Sequence, residues 1–210
     1  MASRRAALAL GLSLALAGAA ATAAPAPGPA GIMAPEPGDM AMGKPHARVT
    51  VIEYGSVGCP HCAVWANTVF PAFKAKFVDT GRVRFVVREM TTGESDLAAA
   101  GFILARCAGP TKYFQVVDEI YQRQASMFQP GATPIDILKD IGAHAGIVGP
   151  AFDACMRNDQ ALAALNARVQ HHAEVDKIDS TPTFVINGKV ILGEQSLDQM
   201  TADIAAARRH

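Results

Sequence analysis

The chain has no surplus of charge of either sign: 19 Lys and Arg balance 19 Asp and Glu, with no long basic or acidic run. That argues against nucleic acid as a partner, because phosphate binding needs clustered Lys and Arg. Cysteine is scarce, at four residues, and there is only one C-x-x-C. A zinc site at that motif would need two more ligands, and Cys107 and Cys155 are remote in sequence. No internal repeat is present. Between Ser95 and Val175 no strand pattern stands out. The N-terminal apolar stretch, Ala6 to Ala20, runs for 15 residues, short of the roughly 20 that span a bilayer.

That stretch follows the positive segment "MASRR" and precedes small residues, with Ala21 and Ala23 in an A-x-A arrangement. It reads as a signal peptide over residues 1–23, cut after Ala23; an uncleaved anchor is the alternative. The expected location is the periplasm. The mature chain then carries 17 basic and 19 acidic side chains. An oxidising compartment favours disulfides among Cys59, Cys62, Cys107 and Cys155, which allow three pairings.

Half of the residues are hydrophobic, enough for one well-packed domain. Residues 24–45 carry six prolines and four glycines and no apolar periodicity, so a flexible linker is expected there. Met33, Met40, Met42 and His46 make a weak copper site conceivable, against incidental methionines in a disordered tether. "ARVTVIEY" (47–54) reads as a strand with Val49, Val51 and Glu53 on one face. A helix should follow from Cys59 to about Val78, with Pro60 in its first turn and Pro71 kinking or splitting it. "GRVRFVVRE" (81–89) is a second strand. A helical block spans about 95–175, broken at Gly109-Pro110, Pro130-Gly131 and Gly149-Pro150. Its segment "TKYFQVVDEIYQR" puts Phe114, Val117, Ile120 and Tyr121 on one stripe. His144, His171 and His172 are expected on helix surfaces. "TPTFVING" and "KVILGE" then form a hairpin through Asn187-Gly188, ahead of a last helix. The order βαβ, helical block, ββα implies an α/β fold with a mixed sheet flanked by helices.

"CPHC" at the start of a helix places Cys59 where the helix dipole and unpaired N–H groups favour a thiolate. Cys59 is expected to be the exposed nucleophile and Cys62, one turn in, the buried partner. His61 can add a positive charge or a hydrogen bond to the Cys59 thiolate. Stabilising the reduced, charged form over the neutral disulfide makes that disulfide a better oxidant. A purely structural Cys59–Cys62 bridge would close too short a loop to gain much. Glu53 stands on a strand that should be central, where an unpaired carboxylate is costly; an edge glutamate reaching solvent is the alternative.

Strand, "CPHC" opening a helix, a helical block, then "TPTF" before a hairpin resembles the DsbA family of thiol:disulfide oxidoreductases, of α-proteobacterial DsbA type. The likeness covers about residues 46–208. It implies a thioredoxin fold with an inserted all-helical subdomain. It implies that Pro182 is cis and sits against the active-site sulfurs, and that Thr181 offers its backbone to an extended substrate. It implies that Glu53 takes the proton of Cys62. Cys107 and Cys155, in two helices of the block, should join across 47 intervening residues, as in some α-proteobacterial relatives; two unpaired buried thiols are the alternative. The implied activity is donation of the Cys59–Cys62 disulfide to exported polypeptides by a monomer without cofactor or metal. A DsbB-like membrane quinone reductase would reoxidise it. Competing expectations are a reductase or isomerase, a copper-binding chaperone built on the thioredoxin fold, and an adhesive thioredoxin-like module.

Overall fold

The computed structural model describes residues 35–209; the signal-peptide reading and Met33 lie outside them. The centre of the sheet is β2 (Val49–Gly55), whose β-branched residues are buried on both faces. It pairs in parallel with β3 (Val83–Glu89), from Val49 opposite Val83 to Gly55 opposite Glu89. On its other side β4 (Thr183–Ile186) runs antiparallel and continues into β5 (Lys189–Leu192). Asn187 and Gly188 both take positive φ, 45° and 89°, as a two-residue hairpin turn of the favoured hand requires.

The fifth strand corrects the sequence reading. Residues 35–45 were expected to belong to a flexible linker, yet β1 (Met40–Met42) pairs antiparallel with β3, giving the order β1-β3-β2-β4-β5. Met40 packs, partly buried, on the core of the helical block and Met42 on the sheet core. A three-residue strand is too short to show a period, and what holds this one is remote in sequence. Asp39 Oδ2 accepts Arg88 Nε and Nη2, both at 3.2 Å, and also the Glu36 N–H at 2.8 Å.

Helices cover both faces. α1 (Pro60–Thr68) and the short α2 (Phe70–Phe73) are split near Pro71, as expected, and a wide turn of helix over Lys74–Val78 follows. With α8 (Leu197–Ala207) they bury Trp65, Phe73, Phe77, Phe85, Phe184 and Met200 against the sheet. The Trp65 ring lies 4.6 Å from that of Phe184. The helical block is α3 (Ser95–Cys107), α4 (Tyr113–Met127), α5 (Pro134–His144), α6 (Pro150–Met156) and α7 (Asp159–Glu174). Its core runs without a break into Cys59, Cys62, Ala63 and Ala66. Among the described residues no helix is long and apolar enough to cross a membrane.

Two neighbouring charges at the end of β3 fasten the layers. Arg88 is buried against Tyr54 OH at 2.6 Å and Asp176 Oδ2 at 3.0 Å. Glu89 accepts Arg106 Nε at 2.6 Å, Arg168 Nη2 at 2.7 Å and Tyr113 OH at 3.0 Å, which anchors three helices of the block to one strand. His172 is a second correction: it is 3% exposed, with Nδ1 3.2 Å from Asp176 Oδ2 and its ring edge-on to Tyr54. Asp176 lies one turn beyond His172, just past the end of α7, where the Val175 and Asp176 N–H groups both donate to the His171 carbonyl.

Cys107 of α3 and Cys155 of α6 are joined as a disulfide. Closing a loop of that length constrains the unfolded chain. Cys107→Ala combined with Cys155→Ala should therefore lower the stability of the otherwise oxidised protein by about 2–4 kcal/mol in urea denaturation. A loss under ~0.5 kcal/mol would show the bridge to be structurally idle.

Candidate active site

The site is assembled where β2 ends. From Gly55 the chain turns through Ser56, Val57 and Gly58, and Cys59 adopts extended backbone (φ −96°, ψ 121°) as the N-cap of α1. Pro60 occupies the first helical position, where an N–H is not needed. The approach is tight at two glycines. A Cβ on Gly58 would come 2.3 Å from the Glu94 carbonyl oxygen, and one on Gly93 would come 2.3 Å from the Gly58 carbonyl oxygen. The loop is therefore pressed against the segment leading into α3, and Glu94 N–H donates to Gly58 O at 3.1 Å. From the opposite side, buried Gln124 of α4 donates Nε2 to the Val57 carbonyl at 2.7 Å and to the Cys59 carbonyl at 3.2 Å.

The two thiols are free and both are covered: Cys59 is 6% exposed and Cys62 fully buried. Cys59 thus offers only an edge of its sulfur, less than the exposed nucleophile expected. Its Sγ lies 3.5 Å from the Thr181 carbonyl oxygen, and the Thr181–Pro182 peptide bond is cis, as expected. The Thr181 hydroxyl in turn makes a short hydrogen bond with that of Thr92. Cys62 Sγ accepts the Ser56 N–H at 3.5 Å.

These contacts drive the two sulfurs apart. The Cys59 thiol is lowered from 9.0 to about 5, first by a hydrogen bond from the Cys62 thiol and then, against the opposing effect of burial, by the Thr181 side chain and the backbone N–H groups of Cys62 and His61. The Cys62 thiol is pushed strongly upward, first by the hydrogen bond it donates to the Cys59 thiolate, then by burial and by the nearby Glu53 charge. Glu53 is 4% exposed on central β2, so the edge alternative is excluded. Its Oε1 has no hydrogen-bond partner, and burial, followed by repulsion from Cys59, raises its carboxyl from 4.5 to about 8. A cavity of about 40 Å³ adjoins it, lined also by Trp65, Asp118 and Tyr121.

His61 meets one of its two expected roles and not the other. Its ring does not reach for the Cys59 sulfur; Nδ1 lies 2.6 Å from Glu194 Oε1, at the surface after β5. The hydrogen bond to Glu194, then the charges of Glu194 and Cys59, raises the imidazole pKa, so His61 supplies positive charge beside the thiolate while its backbone N–H supplies the bond. Glu194, Gln124 and Thr92 were missed. Gln124 left a signal: it is a polar residue on the stripe of Val117, Ile120 and Tyr121, four residues past Ile120, and a polar group on a buried stripe calls for a partner. Glu194 and Thr92 left none, because their contacts come from β5 and the loop after β3.

Residues 35–206 match the Thioredoxin family. The chain belongs to that family. A Rickettsia conorii chain carrying the name "Putative protein-disulfide oxidoreductase" is 36% identical over 169 residues, which are 80% of this chain and 60% of that one. The chain thus spans about three-fifths of the length of such curated relatives. "Disulfide bond formation protein D" of Bacillus subtilis is 27% identical over 172 residues, covering 80% of this chain and 76% of that one. Wolbachia pipientis alpha-DsbA1 superposes with a TM-score of 0.77 at 22% identity, over 85% of this chain and 94% of that one. The architecture is the thioredoxin fold in its DsbA-type form, a mixed sheet with the helical block inserted between β3 and β4.

Two measurements follow from the electrostatics. In the reduced protein, alkylation of Cys59 should reach half its plateau rate near pH 5, with Cys62 inert; a rise only near pH 9 would show no thiolate stabilisation. Glu53 keeps its proton in the folded state after the unfolded chain has lost it, so it erodes stability as pH rises from 4.5 to about 8. Glu53→Gln should remove that slope, stabilising the reduced protein by about 3–5 kcal/mol at pH 8 and by almost nothing at pH 4 in parallel urea denaturations.

Proposed function

We propose that the protein is a periplasmic protein dithiol oxidase. The observation that carries this reading is the divergence of the two sulfurs. Everything that holds Cys59 as a thiolate acts on the reduced form and is lost in the neutral disulfide, so reduction of that disulfide is favoured. The names borne by the Rickettsia and Bacillus relatives support the same chemistry.

In the forward reaction a substrate thiolate attacks Sγ of Cys59 in the Cys59–Cys62 disulfide. The new sulfur–sulfur bond joins substrate to Cys59, and Cys62 leaves as a thiolate. Glu53, protonated near neutrality, gives its proton to Cys62 and takes up another from solvent, so both end the cycle protonated. A second substrate thiolate then attacks the substrate sulfur of the mixed disulfide and expels Cys59 as the stabilised thiolate. Two electrons have moved from two substrate thiols into the enzyme's dithiol. Thr181, ahead of Pro182, offers its backbone to an extended substrate segment. Beside the active-site loop a groove of about 530 Å³, lined by Glu94, Leu97, Met127, Phe128, Ile135 and Leu138, suits the apolar segments of unfolded exported polypeptides. Reoxidation is assigned, by analogy, to a DsbB-like membrane quinone reductase, and the catalytic unit to the monomer.

The glutathione equilibrium tests this proposal. The wild-type disulfide should be reduced more readily than glutathione disulfide, and His61→Ala should weaken it as an oxidant by roughly three- to tenfold, equivalent to about half to one pKa unit at Cys59. The wild-type gene should also restore disulfide formation in a strain lacking its periplasmic oxidase. Failure to complement, together with vigorous insulin reduction, would assign the protein to the reductases instead.

A further inference from the structure

A second group of ionisable side chains lies outside the dithiol site, where residues 36–39 meet the C-terminal end of α7. Asp176 is fully buried at its side chain. Its Oδ2 accepts Tyr54 OH at 2.8 Å and Arg88 Nη1 at 3.0 Å, but its Oδ1, equally buried, has no hydrogen-bond partner. His171 Nε2 is also shielded and without a hydrogen-bond partner. It stands 3.4 Å from Glu36 Oε2 and 4.0 Å from Asp176 Oδ1. The other Glu36 oxygen faces Arg88 Nη2 at 3.6 Å. Each carboxylate therefore gives one oxygen to the guanidinium and turns the other toward the same imidazole nitrogen.

We propose that Glu36, His171 and Asp176 form a binding site for one divalent transition-metal ion of zinc type, which clips the N-terminal segment to α7. The three ligand atoms lie within 4.8 Å of one another. Metal–ligand bonds of about 2.0–2.2 Å in a tetrahedron set ligand atoms roughly 3.3–3.6 Å apart, so the His171–Glu36 pair at 3.4 Å already fits, the His171–Asp176 pair at 4.0 Å must close by about half an ångström, and the Glu36–Asp176 pair, within 4.8 Å, by up to about 1.5 Å. Charge points the same way. Among the described residues, three carboxylates, Glu36, Asp39 and Asp176, surround the Arg88 guanidinium, and a dication offsets the formal excess. Glu36 and His171 also line a hollow of about 250 Å³ bordered by Arg168, whose guanidinium is engaged by Glu89. An imidazole nitrogen beside two carboxylate oxygens suits zinc, whereas calcium and magnesium prefer all-oxygen sets. Arg88, which holds the far oxygens, would orient the ligands from outside the coordination sphere. The competing account of the same geometry is a protonated His171 bridging two carboxylates with no metal.

The test uses the full chain with the Cys59–Cys62 disulfide closed, so that the active-site thiols cannot capture metal. Zinc chloride titrated calorimetrically should bind at one ion per chain and raise the thermal midpoint. Cobalt(II) at the same site should give visible absorption that zinc abolishes. His171→Gln and Glu36→Gln, each checked for native circular dichroism, should weaken binding at least ~tenfold, while His144→Gln on the surface of α5 should not. No zinc binding by the oxidised chain up to ~100 µM would overturn the proposal in favour of the bridging imidazolium. Binding that survives His171→Gln, or calcium binding as tight as zinc, would overturn it equally.

Discussion

One sulfur at the head of α1 must carry a negative charge more comfortably than water would hold it, and the local structure is arranged around that demand. Backbone N–H groups at a helix start are useful donors only if they do not have to reorganise when the charge appears. Pro60 fixes the first helical φ, and Cys59 as N-cap keeps extended geometry. Gly58 and Gly93 bring two backbone segments to a separation that no side chain would permit. Gln124 holds the Val57 and Cys59 carbonyls from behind. In the dithiol form the donors are thus held in place by the surrounding backbone, which makes the thiolate favourable rather than merely tolerated.

The same demand accounts for the least comfortable residue in the sheet. A carboxyl on a central strand, with one oxygen unpartnered, runs against every rule of core composition. Glu53 is tolerated because it can stay neutral. Burial raises its pKa, and the Cys59 charge raises it further, so a protonated carboxyl faces Cys62 in the reduced protein. Two negative groups in this dry corner would repel each other, and holding Glu53 neutral avoids that. Charge on Cys59, a proton on Cys62 and a proton on Glu53 form one coupled arrangement rather than three separate properties.

What was legible in the sequence was what local chemistry decides. Cys59, Pro60 and Cys62 announce a helix start, Asn187-Gly188 a tight hairpin, and Pro71 a broken helix; each is a statement about two or three consecutive residues. Elements that depend on a distant partner were hidden. β1 has three residues and owes its place to Arg88, some fifty positions later. His61 was expected to give the Cys59 sulfur a charge or a hydrogen bond, yet its ring bonds to Glu194 more than a hundred residues away. His172 was taken for a surface residue because the helical pattern around it is polar, yet the ring of Tyr54, more than a hundred residues earlier, packs against it.

The helical block is more than an ornament on a thioredoxin core, and the distribution of contacts says why. α4 supplies Gln124 to the loop that carries Cys59 and the Tyr121 carbonyl to Asn67 of α1, while the segment entering α3 provides the wall against Gly58. A block that swung freely would carry those contacts away and release the Cys59 donors. Hence the fastening at Glu89, where Arg106, Arg168 and Tyr113 converge on one buried carboxylate at the end of β3. Removing Glu89 would strip the shared acceptor from two guanidinium groups and a buried hydroxyl at once, a costlier defect than a lost surface pair. Rigidity of the insertion and the charge state of the thiol are therefore linked through the same strand, since β3 lies directly beside the strand that delivers Cys59.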